Sequence, residues 1–196
     1  MTNGPHIVIV GETASGKSAL ALELAQKFNG EIICADAMTV YKGFDVGTAK
    51  PSQQEQSLVP HHLLDVTTAA EGYSAPQFKR AALIVTEDIQ RRGRIPILVG
   101  GTGLYVDSIL YDYSFLQPSS EEQRAFLNDM SLAELIELAK KNGLPIESVD
   151  IRNKRRIIRL IENEGAMPQR SELRKNTIVF GIVQTKDGLE ERITQR

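Results

Sequence analysis

The sequence predicts an α/β protein in which a parallel sheet is flanked by helices and carries a small helical insertion. Short β-branched apolar runs alternate with segments of helical spacing, which is the pattern of parallel βαβ units. A glycine-rich loop joins the first apolar run to the first helical segment. After Tyr111 the alternation stops and short capped helices take its place, which indicates the insertion.

The strands are predicted from continuous apolar runs. Residues 6–10, 31–35 and 95–99 are each typical of strands buried on both faces of a parallel sheet. A shorter strand is expected at 62–66, and 177–183 is expected to return to the sheet. Between 36 and 60 glycines and prolines predict a long loop.

Helices are expected between and after these strands. Ser74 and Gln77 form a capping-box pattern, and similar patterns at 119–122 and 131–134 predict two short helices in the insertion. The predicted helices cover 16–28, 74–92, 104–110, two short segments after 119 and 131, 150–164, and a last one from 187. We therefore expect a core at 1–112, a helical insertion at 113–165, and a return to the core at 166–196.

Composition gives the broad class. Hydrophobic residues make up 41% and charged residues 24% of the chain, as in ordinary globular proteins. No membrane span or signal peptide is indicated, and Cys34 has no second cysteine to pair with, so we expect a cytoplasmic monomer. Residues 151–196 hold 11 Lys/Arg against 6 Asp/Glu, whereas the whole chain has a net charge of −2. This basic end is either a nucleic-acid face or a solvated helix surface.

The strongest local motif is GETASGKS at 11–18, which matches G-x-x-x-x-G-K-[ST] between a strand and a helix. It predicts a P-loop NTPase-like fold, in which backbone N–H groups and the helix N-terminus bind phosphate. Lys17 adds a positive charge, and the Ser18 hydroxyl is expected to bind Mg²⁺. The expected diphosphate-binding residues are Gly11, Thr13, Ala14, Ser15, Gly16, Lys17 and Ser18.

Two further segments follow predicted strands at the carboxyl edge of the sheet, where ligands bind in such folds. Asp36 is either a general base or Mg²⁺ ligand, or the cap of a turn. The run GGTG at 100–103 either allows a ligand close to the backbone, with Thr102 donating to phosphate, or forms only a tight turn.

Other polar residues carry weaker signals. On one helix, Arg152, Arg155, Arg156 and Arg159 would share a face, which suits phosphate contacts or simple solvation. Adjacent His61 and His62 point to opposite faces of a strand, so we expect structural or polar-contact roles and no metal site.

Together these segments resemble the tRNA dimethylallyltransferase (isopentenyltransferase) family. The resemblance is carried, in family order, by GETASGKS at 11–18, ADAMTVYKGFDVGTAKP at 35–51, PHHLLDV at 60–66, YSAPQFKRAA at 73–82, GRIPILVGGTGLY at 93–105 and NKRRIIRLIE at 153–162. The GTAKP and ILVGGTGLY segments are much more specific than the P-loop motif. Family members continue beyond the position of Arg196, so we expect a C-terminally shortened member.

The resemblance implies a reaction and assigns residues to it. The family transfers a dimethylallyl group from dimethylallyl diphosphate to N6 of the adenosine beside the tRNA anticodon. It implies catalytic roles for Asp36 as base and Thr102 as a donor to the diphosphate, with Mg²⁺ on Ser18. The tRNA-binding residues that it implies are Asp36, Ala37, Met38, Thr39, Arg124, Arg155, Arg156 and Arg159.

The chain departs from the family pattern at three positions. Glu12 replaces the usual proline and places a carboxylate beside the phosphate loop. Ala37 and Thr39 replace the serine and glutamine of D-S-x-Q-x-Y, two groups that orient the adenine in the family. Two alternatives therefore stay open, a homologue that binds nucleotide or RNA without turnover and a small-molecule P-loop kinase that binds ATP.

Overall fold

The computed structural model describes residues 5–117 and 119–194. It divides into two compact units, which we call the sheet unit (residues up to Tyr113 and from Ser171) and the helical unit (Ser114–Arg170). The insertion was expected to end at 165, but a bridge between Ser114 and Gln169 extends the helical unit by five residues.

The sheet unit contains five strands and five helices among the described residues. In chain order these are β1 (His6–Gly11), α1 (Lys17–Lys27), β2 (Gly30–Cys34), α2 (Gln53–Leu58), β3 (His61–His62), α3 (Ala75–Arg91), β4 (Ile95–Val99), α4 (Gly103–Leu110), β5 (Thr177–Ile182) and, after it, a helix at Lys186–Thr194. The helical unit contributes α5 (Glu121–Asp129), α6 (Leu132–Lys141) and α7 (Lys154–Glu162), so the helix after β5 is α8.

All strand pairs are parallel, and the order is β3-β2-β4-β1-β5. The predicted α/β fold class is thus confirmed. Both faces of the sheet are covered by apolar side chains. Val8, Ile33 and Leu98 pack against α3 and α4, whereas Ile9 and Ile32 belong to the second core, which includes α1. Because β1, β2 and β4 are buried, their sequences are continuously apolar, whereas β5 at the edge of the sheet leaves Ile178, Val179 and Phe180 exposed.

Helix ends account for most differences from the sequence-based expectations. The expected box at 119–122 is shifted by one residue, because the Ser120 hydroxyl accepts the Gln123 N–H and α5 begins at Glu121. Asn153 caps α7, so the helix begins at Lys154 and Arg152 lies before it. The prediction that Arg152 shares the helical stripe is therefore wrong. The strand expected at 62–66 is only His61–His62, and α2 was not predicted.

The helical unit has its own core. Leu127 from α5, Leu135 from α6 and Ile157 from α7 are buried together, so the three helices pack around one apolar centre. The α7 helix shows a clear division, with its apolar side chains buried and Arg155 and Arg156 exposed. No helix in the described ranges is long and apolar enough to cross a membrane.

Candidate functional site

A cavity of about 710 Å³ opens at the carboxyl edge of the sheet. Its lining brings together the predicted phosphate loop, Asp36 with the two residues Met38 and Thr39, and the glycines that follow β4. The order of the strands explains this convergence, because β1, β4 and β2 are adjacent and each ends at this edge. Most of the predicted site residues of the sheet unit therefore lie around a single cavity.

The phosphate loop is held in a defined shape by its neighbours. A Cβ on Gly11 would lie 2.6 Å from the carbonyl oxygen of Ile182, so only glycine fits between the loop and the end of β5. Gln184 donates from Nε2 to the Ser15 carbonyl at 3.2 Å, which ties the loop to the segment after β5. The loop is thus supported before any ligand enters.

Within the loop, two side chains are arranged for a phosphate group. Lys17 donates from Nζ to the carbonyl oxygens of Gly11, at 2.9 Å, and Glu12. The Ser15 hydroxyl is buried and has no hydrogen-bond partner among the described residues. A buried polar group without a partner costs about 1–3 kcal/mol, which a ligand that accepts its proton would recover. The Glu12 side chain is exposed and lies outside the cavity lining, so it does not place its charge inside the cradle.

Asp36 is fixed by the backbone that follows it. Its Oδ1 accepts the Met38 N–H at 2.8 Å and the Thr39 N–H at 3.4 Å. One carboxylate oxygen of Asp36 therefore caps a turn, and the residue also lines the cavity. The second oxygen, Oδ2, accepts no hydrogen bond from the described part of the chain and is available to bind a proton or a cation.

Thr102 joins the loop after β4 to the segment after β2. Its Oγ1 accepts the Ala37 N–H at 2.9 Å, which leaves the hydroxyl proton free to be donated elsewhere. Gly100 allows this close approach, since a Cβ there would lie 2.0 Å from the Ala35 carbonyl oxygen. Thr102 and Ala37 are not among the lining residues of the cavity. Their hydrogen bond joins the turn at Asp36 to the loop that follows β4.

Sequence reasoning missed one wall of the cavity. Gly47, Thr48, Ala49 and Pro51 line it, and so do Glu55 of α2 and His61 of β3. The predicted loop at 36–60 contained all of these residues except His61, which reaches this edge through the pairing of β3 beside β2, a contact that local patterns do not show. The run GTAKP was the one signal that marked this wall in the sequence.

Both titratable groups of this wall have shifted pKa values. Burial lowers the pKa of His61, whose Nδ1 lies 2.8 Å from the Val59 carbonyl oxygen. Hydrogen bonds from the side chain and backbone of Ser52 lower the pKa of Glu55. At neutral pH the wall therefore presents a neutral imidazole and a carboxylate already engaged in the cap of α2.

The predicted tRNA-binding arginines all lie in the helical unit, where they form two kinds of site. Arg124 and Arg159 both bond to Glu162, whose side chain is fully buried. The Ser119 hydroxyl also donates to this carboxylate. Burial alone would raise the pKa of Glu162, but the hydrogen bonds from Arg124 and Ser119 outweigh it and lower the pKa.

The other two arginines do not bond to Glu162. Arg155 and Arg156 are exposed, and neither guanidinium forms a hydrogen bond or a salt bridge with a residue that the structure describes. Free guanidinium groups on a helix surface are suited to phosphate oxygens. The four arginines that the family resemblance grouped together thus differ in what they are free to bind.

Metal ligands are sparse at the cavity. In the described ranges, no three His, Cys, Asp or Glu side chains are grouped as a metal site. Ser18 and Asp36 both line the cavity and supply oxygen atoms of the kind that Mg²⁺ prefers. Such an ion fits these residues only if phosphate oxygens and water complete its coordination, which is how Mg²⁺ is commonly bound.

A strand, a glycine-rich loop with Lys17 and the N-terminus of α1 define a P-loop phosphate-binding protein of the α/β class. Comparisons with known proteins then identify the family. The family model described as "IPP transferase" matches residues 39–196. The chain is 40% identical over 201 residues to the tRNA dimethylallyltransferase of Anoxybacillus flavithermus, and 42% identical over 196 residues to that of Streptococcus pneumoniae. The chain belongs to the IPP transferase family.

Solved structures agree with this assignment. A full-length tRNA isopentenylpyrophosphate transferase from Bacillus halodurans superposes with a TM-score of 0.68 at 34% identity, over 97% of this chain and 64% of that one. A eukaryotic dimethylallyltransferase acting on tRNA gives a TM-score of 0.75 at 27% identity, over 97% and 53%. Each alignment with the two curated relatives covers 97% of this chain, which spans 65% and 66% of their lengths.

Proposed function

We propose that the protein transfers the dimethylallyl group of dimethylallyl diphosphate to N6 of the adenosine next to the anticodon in tRNA, as a monomer in the cytoplasm. The observation that carries this proposal is the pairing of a P-loop with a carboxylate in one cavity. Asp36 keeps Oδ2 unengaged in the same cavity that Lys17 and Ser18 line. Relatives at 40–42% identity carry the name tRNA dimethylallyltransferase.

The proposed step exchanges one bond for another. The allylic C–O bond of the donor breaks, the N6–C bond forms, the N6 proton passes to Asp36 Oδ2, and pyrophosphate leaves. Negative charge grows on the pyrophosphate as the C–O bond breaks, so fixed positive groups around it stabilise the transition state. Lys17 would exchange the Gly11 and Glu12 carbonyl oxygens for the diphosphate, and the Ser15 hydroxyl would gain a partner.

Four further residues have roles in this proposal, Ser18, Thr102, Met38 and Thr39. Ser18 and the diphosphate would together hold Mg²⁺, which supplies additional positive charge to the leaving group when bound. The Thr102 hydroxyl, already an acceptor for Ala37, has its proton left to donate toward the diphosphate. Backbone bonds from Met38 and Thr39 hold Asp36 on the acceptor side without using Oδ2.

For tRNA, we propose that Arg155 and Arg156 bind backbone phosphates, while Arg124 and Arg159 present a fixed surface held by Glu162. The adenosine must leave the anticodon-loop stack to enter the cavity, as happens in other base-modifying enzymes. Met38 and Thr39 line the cavity next to Asp36 and would contact the base, with Ala37 behind them.

The test is mass spectrometry of an anticodon stem-loop RNA after incubation with the protein, dimethylallyl diphosphate and Mg²⁺. We expect the adenosine to gain one dimethylallyl group. Lys17→Ala should abolish donor binding, and Lys27→Ala is the matched control, because Lys27 lies at the other end of α1. Donor binding without product would indicate a protein that binds without turnover. Displacement of the donor by ATP with phosphoryl transfer would indicate a kinase.

A further inference from the structure

The Lys50 side chain is nearly enclosed, with 5% of its surface exposed, although lysine is rarely buried. Its Nζ donates to the Tyr41 carbonyl oxygen at 2.9 Å, to Asp45 at 2.6 Å and to Asp65 at 2.7 Å. An ammonium group has three N–H donors, so each of them is used. Burial alone would lower the pKa of Lys50, but the two carboxylates outweigh it and raise the pKa.

The partners of Lys50 come from three separate stretches of chain. Tyr41 ends the segment that begins at Asp36, Asp45 lies in the following loop, and Asp65 follows β3. Backbone hydrogen bonds join the same stretches, since Lys42 N–H donates to the Thr67 carbonyl and Asp65 N–H to the Thr39 carbonyl. One cation therefore ties together three segments that are not neighbours in the sequence.

These segments carry the part of the cavity lining that we call the acceptor wall, formed by Met38, Thr39, 47–49 and Pro51. Residues on both sides of Lys50 line the cavity, but Lys50 itself does not. Its ammonium group bonds instead to Tyr41, Asp45 and Asp65, which do not line the cavity. This division indicates that Lys50 shapes the cavity without touching what enters it.

We propose that Lys50 is a positioning residue that holds the acceptor wall in place for the transfer reaction. The inference rests on the proposed function for its catalytic consequence, but the ordering of the wall is a property of the free protein. The phosphate loop is held separately, by Ile182 and Gln184 behind it. Loss of Lys50 should therefore loosen the acceptor wall and leave the diphosphate cradle formed.

Lys50→Met is the informative variant, because it keeps the length of the side chain and removes the charge. Asp45 and Asp65 are 66% and 44% exposed, so water can solvate them when the ammonium is gone. We expect amide hydrogen exchange at 39–50 and 65–67 to become about tenfold faster or more, as for a local opening. Exchange in the phosphate loop and the Kd for dimethylallyl diphosphate should stay within about twofold, as for independent sites.

Steady-state kinetics provides a second test. A purely structural role would not change the KM for RNA and the KM for the donor differently. At saturating donor, the KM for the stem-loop RNA should rise about tenfold or more, while the KM for the donor changes little. Asp65→Asn should reproduce the effect, and the double variant should be no worse than either single one. Ile89→Ala, a buried site in α3, is the control for general destabilisation and should not raise exchange selectively at the acceptor wall.

Unchanged exchange at the acceptor wall in Lys50→Met, or an equal increase in the phosphate loop, would overturn the inference. So would a loss of donor affinity as large as the loss of RNA affinity. A wild-type protein that transfers no dimethylallyl group would refute the proposed function instead. In that case the hydrogen-exchange comparison still decides whether Lys50 orders the wall.

Discussion

Replacing Arg155 and Arg156 together by alanine removes the two guanidinium groups of α7 that no described residue engages. If each binds one RNA phosphate, the slope of log affinity against log salt should become less steep by about 1.4 to 1.8. If the variant and the wild type bind RNA equally at 1 M salt, a slope change of about 1.6 makes the variant about 40-fold weaker at 0.1 M salt. The thermal midpoint should stay within about 2 °C, because both side chains are surface groups.

Arg124→Ala provides the contrast within the same unit. Arg124 is 39% exposed and forms two hydrogen bonds to Glu162, which is fully buried. Breaking a buried pair costs about 3–5 kcal/mol, but solvent at Arg124 and the remaining bond from Arg159 reduce this to about 1–2 kcal/mol. We therefore expect the unfolding midpoint to fall by about 2–8 °C, with a slope change of no more than about 0.9.

The assay is fluorescence anisotropy of a labelled anticodon stem-loop between 50 and 400 mM salt, with calorimetry of each variant in parallel. The double Arg155/Arg156 variant should lose salt dependence of RNA binding, whereas Arg124→Ala should lose thermal stability. A double Arg155/Arg156 variant that keeps the wild-type slope would show that this face is only solvated. An Arg124→Ala protein with wild-type stability would show that the Glu162 cluster is not a structural centre.

Three other changes probe the sheet unit. Asp36→Asn should keep donor binding and lower turnover by about 10²–10⁴, measured under single-turnover conditions, and full activity would exclude a general base here. Gly100→Ala should be severely destabilising, since its Cβ would meet the Ala35 carbonyl at 2.0 Å, whereas Gly101→Ala meets only Asp36 at 3.9 Å and should fold normally. Burial and the nearby charge of Arg174 lower the pKa of His6 from 6.5 to about 4, so its protonation destabilises the fold as pH falls from 6.5 to 4. His6→Leu should remove about 3 kcal/mol of this acid sensitivity in pH-dependent denaturant titrations, and an unchanged pH profile would contradict it.

The sheet and the phosphate loop could be predicted because their signals are local. A continuous apolar run such as 95–99 identifies a buried strand without knowledge of its neighbours, and 11–18 is one unbroken motif. The carboxyl-edge position of Asp36 followed from the same reasoning, since parallel strands end together. These inferences needed only the order of residues along the chain.

The cavity lining at Glu55 and His61 and the arginine pairs at Glu162 depend on contacts between distant residues. The pairing of β3 beside β2 places His61 at the cavity, and Glu55 of the unpredicted helix α2 lines it too. Arg124 and Glu162 are 38 residues apart, so no spacing rule links them. Asn153 caps α7, so the helix begins at Lys154 and excludes Arg152. The sequence-based expectation was wrong here because it did not include this one side-chain hydrogen bond. Sequence patterns identified the charges but not their partners.

Ala37 and Thr39, the two departures from the family pattern beside Asp36, do not change how the Asp36 carboxylate is held. Asp36 is held by the N–H groups of Met38 and Thr39, and Thr102 accepts the N–H of Ala37. These bonds use the main chain, so a serine at 37 and a glutamine at 39 are not needed to place the carboxylate. The Thr39 hydroxyl turns back to the Asp36 carbonyl at 3.4 Å. If the proposed function is correct, we expect the two substitutions to affect recognition of the adenine and to leave the position of the Asp36 carboxylate unchanged.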